Sequence, residues 1–237
     1  MALPKLNQTP SYELTVPSTG ETLQYRPFLV KEQKILLMAL ESRDERQILM
    51  AVDNTLSVCV QSNHSIDQLK MFDIEYIFLQ MRGKSIGESA GLTLKCADCE
   101  ADNEIKIPLS SIELSIPEKL NTSLNITEEY VLNLSWPNFK AMKNIESPKE
   151  EETQSETIYK NALLCLESLD TAEEKIYFID EPSEEKEEFM GSLTTSQFNT
   201  IIEYAGAMPQ LTHDVEFKCS GCTTKNQYNL RGMQDFF

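Results

Sequence analysis

The sequence predicts an α+β fold, and three observations carry the prediction. Two C-x-x-C motifs, Cys96-Ala97-Asp98-Cys99 and Cys219-Ser220-Gly221-Cys222, stand 123 positions apart in matching surroundings. Apolar spacing switches from helical to alternating near Ala90. Charge is concentrated between the motifs: residues 1–95 net −1, residues 96–188 net −15 and residues 189–237 net −1. These divide the chain into an N-terminal β-hairpin and helical module over 1–89, a split four-cysteine ribbon over 90–109 and 210–237, and an acidic, mostly helical α/β insert over 110–209.

The hairpin comes first. Tyr12–Val16 and Glu21–Arg26 alternate around Ser18-Thr19-Gly20, a turn sequence between two short strands. A helix follows over Val30–Ser42; its run Ile35–Leu40 is apolar all round and predicts burial on more than one side. Ile48, Val52, Leu56 and Cys59 give a second helix over Glu45–Gln61, with Cys59 as packing. Ile74, Ile77, Phe78 and Met81 give a third.

From Ala90 the period is two. At the 123-residue offset Leu92 aligns with Val215, Leu94 with Phe217, Lys95 with Lys218, Asn103 with Asn226, Ile105 with Tyr228 and Ile107 with Leu230. Each copy therefore reads strand, knuckle, strand. Together Cys96, Cys99, Cys219 and Cys222 supply the four thiolates of a closed, structural Zn2+ site. Such a site has no coordination position for water or substrate, so the metal argues for architecture rather than chemistry. The alternatives are local disulfides with a redox role, or inert thiols. Redox C-x-x-C motifs belong to a βαβ pattern that neither copy shows, and no charged and apolar leader opens the chain. The 119 residues between the pairs far exceed the usual ribbon loop, so a large body is inserted there.

Within the insert, Asn125–Leu134 reads as extended and stops at Trp136-Pro137. A helix starts after Asn138 and fades at Ser147-Pro148, and Lys149–Glu156 reads as an acidic loop or frayed helix start. Ile158, Ala162, Cys165 or Leu166, and Leu169 make an amphipathic helix, and Lys175–Ile179 a short strand. Pro182-Ser183 before Glu184-Glu185 opens another helix, with carboxylates near its positive end. A last helix over Ser196–Ala205 buries Phe198, Ile201, Ile202 and Ala205.

The net charge of −17 repels phosphate backbones and anionic lipid. No apolar run reaches the ~18 residues of a membrane span. The reading is a soluble intracellular protein with no nucleic-acid, membrane or small-molecule partner. Gly83-Lys84-Ser85 lacks the first glycine of a phosphate-binding loop, because Phe78 stands there. With only His64 and His213 as histidines, no catalytic unit emerges and no enzyme is predicted. Two features bear on a macromolecular partner: the acidic run Glu184, Glu185, Glu187 and Glu188, which is either a surface for a basic partner or a solvated face that keeps the protein soluble, and the terminal pair Phe236 and Phe237. The pair docks either against the helices of residues 30–82 or onto a neighbouring subunit.

Arg26-Pro27-Phe28-Leu29-Val30-Lys31-Glu32 running into Ile35–Glu41 resembles the N-terminal signature of the baseplate hub proteins of T-even-type contractile-tailed bacteriophages. The paired knuckles and the ending Leu230–Phe237 are similar to features of the same group. The resemblance covers the first ~90 and last ~30 residues, judged on motifs and knuckle spacing. It implies a non-enzymatic hub subunit or hub assembly factor. Its partners would be other baseplate hub or tail proteins, in the virion baseplate or the cytoplasm of the infected host. An acidic assembly chaperone absent from the mature particle, or a zinc-ribbon regulator, are the other readings.

Overall fold

The computed structural model describes residues 9–42, 44–61, 65–117, 120–144 and 153–236. In chain order the elements are β1 (Tyr12–Thr15), β2 (Thr22–Tyr25), α1 (Val30–Ser42), α2 (Glu45–Cys59), β3 (Val60–Gln61), α3 (Met71–Ser85), β4 (Ser89–Lys95), β5 (Asp102–Pro108) and β6 (Glu113–Ser115). There follow β7 (Ser123–Asn125), β8 (Val131–Leu134), α4 (Phe139–Lys143), α5 (Gln154–Leu164), β9 (Leu166–Asp170), β10 (Lys175–Tyr177), α6 (Ser183–Ser192) and α7 (Thr195–Gly206). The chain closes with β11 (Gln210–Lys218), β12 (Lys225–Arg231) and a 3-10 turn over Met233–Phe236. It divides into two compact units, residues 1–115 with 210–237, and residues 116–209. Among the described residues no helix is long and apolar enough to cross a membrane.

In the first unit β1 and β2 pair antiparallel, and β3 adds to β2 through Gln24–Gln61 and Tyr25–Val60. The sequence extends α2 to Gln61; the structure ends it at Cys59, because Val60 serves the sheet edge instead. The hairpin turn is fastened to α3 by Asp73, whose carboxylate accepts from the Ser18 amide (2.9 Å), the Ser18 hydroxyl (2.6 Å) and the Lys70 amide (3.0 Å). Entry to α1 is pinned by the Phe28 amide donating to Ser85 Oγ and by Phe28 stacked on Phe78. Asp44 caps α2 by accepting from the Arg46 and Gln47 amides.

Burial on more than one side, predicted for Ile35–Leu40, is not what the fold gives. Leu36 and Ala39 are buried, whereas Ile35, Leu37 and Met38 are exposed. One face of α1 meets α2 and the rest of the unit, and the other is left apolar and open.

Two sheets complete this unit, the β4–β5 hairpin and β12-β11-β6. Leu79, Ala90, Ile107, Leu109, Ile112, Leu211, Val215, Leu230 and Phe236 form one buried cluster that joins α3 to both sheets. Gly232, at φ +69°, turns the chain out of β12, and the Arg231 amide donates to Asp235 Oδ2 at 2.8 Å. That turn drops Phe236 into the cluster at zero exposure, so this aromatic serves its own core and offers no surface to a neighbour. Phe237 lies outside the described residues.

The second unit is a four-stranded antiparallel sheet, β10-β9-β8-β7, packed with helices. Three expectations change here. Asn125–Leu134 is not one extended segment but the β7–β8 hairpin, turned over Ile126–Tyr130. The amphipathic helix ends at Leu164, with Cys165 as its cap, and Leu166 and Leu169 belong to β9 instead. Both leucines keep their core side because a register shift between Asn133 and Leu134 offsets the strand alternation. Lys175–Ile179 contributes a strand only as far as Tyr177 before a 3-10 turn. Asn138 caps the short α4, and Thr153 with Glu156 forms a capping box on α5. Trp136 stacks on Tyr204 at 5.2 Å and donates its indole N–H to the Tyr204 carbonyl. The segment Glu150–Glu152 and His64 lie outside the described residues.

Candidate metal centre

Each C-x-x-C motif sits in a six-residue link between two paired strands. Lys95 pairs with Asp102 at the mouth of one, Lys218 with Lys225 at the mouth of the other. The backbone closes both links identically. Cys96 N donates to Ala101 O and Glu100 N to Cys96 O, at 2.9 and 3.0 Å; Cys219 N donates to Thr224 O and Thr223 N to Cys219 O, at 2.9 and 3.0 Å. Equivalent residues also carry the turn's left-handed conformation, Glu100 at φ 56° and Thr223 at φ 63°. The duplication read from sequence thus extends to the backbone.

The knuckles converge. The sulfurs of Cys96, Cys99, Cys219 and Cys222 all lie within 4.8 Å of one another, with Cys96–Cys222 at 3.5 Å and Cys99–Cys219 at 3.6 Å. A tetrahedron of thiolates at a ~2.3 Å metal–sulfur bond length has edges of roughly 3.8 Å, inside the range these sulfurs span, so the donor set is compatible with a tetrahedral metal ion. All four cysteines are free thiols, Cys96 and Cys219 buried, Cys99 and Cys222 exposed. Among the described residues this is the cluster of three or more metal-ligating side chains.

Two asparagines support the cluster, and each serves the opposite knuckle. Asn103, on β5 after the first knuckle, accepts from the Ser220 amide (2.8 Å) and hydroxyl (3.1 Å) and donates to Cys219 Sγ (3.7 Å). Asn226, on β12 after the second, accepts from the Ala97 amide (2.9 Å) and donates to Cys96 Sγ (3.5 Å). Each also ties back to its own turn, Asn103 to Ala101 O and Asn226 to Thr224 O. Both are buried. Thr224 adds a bond to Asp98 Oδ2 at 2.8 Å, and Tyr228 hydroxyl one to the Lys95 carbonyl.

The knuckle backbone amides and the neighbouring sulfurs set the acidity of the thiols. The Cys222 and Gly221 amides hold Cys219 down at about 6. The Cys99 and Asp98 amides lower Cys96 in the same way. At Cys99 the Ala101 amide acts downward, but the neighbouring thiols of Cys222, Cys219 and Cys96, with burial, push it up to about 12. The arrangement stabilises negative sulfur on the two inner cysteines and resists a further thiolate beside them. A divalent cation relieves that repulsion, and four sulfurs leave it no open position for a substrate.

The other expected residues stand apart from this centre. Glu184, Glu185, Glu187 and Glu188 are exposed on α6 in the second unit. His213 Nδ1 is engaged at 3.0 Å by the Ser111 carbonyl. Cys59 and Cys165 are buried in cores. Asn103 and Asn226 were in the aligned pairs, but without a role; their identity at the 123-residue offset was the signal. No curated protein and no solved structure shows significant similarity to the chain. One family model does match, over residues 9–237, and by it the chain belongs to the T4 bacteriophage base plate protein family.

Proposed function

We propose that this baseplate protein is a non-enzymatic component of the hub, either a hub subunit or a hub assembly factor, and that Zn2+ held by Cys96, Cys99, Cys219 and Cys222 is structural. The observation that carries the reading is the crossed support of the cluster: each knuckle is held by an asparagine from the other, so the four sulfurs act as one clasp between β4–β5 and β11–β12. When bound, the ion neutralises thiolates and cross-links two hairpins that are distant in sequence. Structural zinc contributes ~10–16 kcal/mol of apparent free energy in small peptides, as much as a whole domain's stability. The resulting rigid unit presents protein surfaces, and the exposed carboxylates Glu184, Glu185, Glu187 and Glu188 on α6 suit a basic hub or tail partner.

Elemental analysis of freshly purified, unchelated protein is expected to give one zinc per chain, and Cys219→Ser is expected to unfold the clasp. Less than about half a zinc per chain refutes the metal reading, given the tightness expected. Mass spectrometry of purified particles separates the roles: a hub subunit remains, whereas an acidic assembly chaperone is absent. Glu→Gln at the four α6 positions is expected to slow partner association at low salt; salt-insensitive association would assign the charge to solubility alone.

A further inference from the structure

The outward face of α1 carries more apolar surface than a solvent-facing helix needs. Its inner face buries Glu32, Leu36 and Ala39. Opposite them Val30 is 79% exposed, Met38 60% and Leu37 51%, while Ile35, 49% exposed, flanks the buried face. At 100° per residue, Val30, Lys34, Leu37, Met38 and Glu41 form one stripe. Leu37 is also a wall of an apolar cleft completed by Leu40, Ile48, Val52 and Ile86. An apolar face of this kind marks an association surface.

The order of residues along the stripe identifies the occupant. Laid antiparallel on a second copy, about a two-fold axis between positions 37 and 38, the stripe sets Leu37 against the second copy's Met38. The same operation sets Lys34 against its Glu41, and symmetry makes that pair twice. A parallel alignment would instead oppose Lys34 to Lys34 and Glu41 to Glu41. We propose that the outward face of α1 is a homodimer interface, two α1 helices packed antiparallel with Leu37 and Met38 at the centre and Lys34–Glu41 pairs at the rim. An apolar centre with a charged rim is the usual anatomy of a specific interface. The proposal rests on α1 alone and is independent of the metal.

Sedimentation velocity of the full chain over a hundredfold concentration range tests it. The wild type is expected to dimerise. Leu37→Glu, at a half-exposed position, is expected to weaken the dimer about a hundredfold by setting carboxylates into its centre, while the variant still melts cooperatively when diluted below the dimerisation range. Lys34→Glu and Glu41→Lys each create two like-charge pairs and are expected to weaken it about tenfold. The double variant K34E/E41K exchanges the charges and is expected to recover wild-type affinity. Mixing the two single variants is expected to form a heterodimer tighter than either homodimer. A monomer at every concentration overturns the proposal and leaves the stripe to a different baseplate protein. So does a dimer indifferent to L37E, or a double variant that fails to recover.

Discussion

Asn103→Ala tests the crossed clasp most directly, because the damage should appear in the knuckle that the residue does not belong to. The substitution leaves the Ser220 amide without its 2.8 Å acceptor, takes from the Ala101 carbonyl one of its two donors while the Cys96 amide remains, and removes the N–H aimed at Cys219 Sγ. A buried group left without a partner costs ~1–3 kcal/mol. Ser220 is exposed and water replaces part of its bond. With the Ala101 carbonyl still bonded to the Cys96 amide, the sum falls near ~1–2 kcal/mol, with a ~10–100-fold loss of metal affinity from the missing support of the ligand. Chemical unfolding with and without a chelator gives the first quantity and competition with a chromogenic chelator the second. Hydrogen exchange gives the location. Exchange should accelerate at Ser220 after Asn103→Ala, and at Ala97 after Asn226→Ala. Asn103→Asp refines the test, since a carboxylate still accepts from Ser220 but sets negative charge beside a thiolate and donates nothing. Wild-type stability and zinc affinity in both alanine variants, or exchange that rises only in each residue's own knuckle, would refute the crossed support.

Phe236→Ala should cost about 3–5 kcal/mol, because the ring is wholly buried among Leu79, Ala90 and Leu211, and thermal unfolding reads the loss. A melting temperature unchanged by that substitution would return the aromatic to a partner-binding role. Glu32 should give an acid limb to stability. Burial acts to raise it, but the Leu29 amide, Arg26 and Lys31 outweigh burial and hold it below its ordinary 4.5. Its contribution is therefore complete above pH 4.5 and lost as pH falls through the lowered value, and Glu32→Gln should flatten that limb of the pH–stability curve.

What the sequence disclosed follows from which forces are local. The knuckles were legible because turn geometry is encoded within six residues and repeated, down to Glu100 and Thr223 in the same backbone conformation. Neither is glycine, so the conformation itself left no mark in the composition. The crossing of Asn103 and Asn226 was not legible, since a side chain reaching the other hairpin depends on tertiary placement. Leu166 and Leu169 misled because their spacing suits a helix as well as a strand interrupted by a bulge. At α1 the unbroken apolar run suggested burial on more than one side, and the fold buries only Leu36 and Ala39, because composition alone does not say which face of a helix meets its own chain. The Trp136–Tyr204 stack, between residues 68 apart, left no periodic signal at all.

The insertion itself follows a physical logic that leads to one more expectation. The chain leaves the first unit at Ser115 and returns at Gln210, and these two residues are paired partners in the β6–β11 ladder. The ends of residues 116–209 are thus held together by the first unit's own hydrogen bonds, with the cysteine cluster at the far end of the same β11. Forming the β6–β11 pair in an unfolded chain closes a loop of about a hundred residues. Replacing residues 116–209 by a linker of about four residues reduces that closure cost by ~3 kcal/mol, from the logarithmic dependence on loop length. The shortened chain is expected to fold with the four thiols together. Its zinc stoichiometry should match the full chain, and its chelator-resistant unfolding transition should shift to higher denaturant. Loss of zinc or of cooperative unfolding in the shortened chain would show that the clasp requires the insert. Retention of both would make the second unit a passenger on a self-sufficient clasp, free to vary in surface and charge.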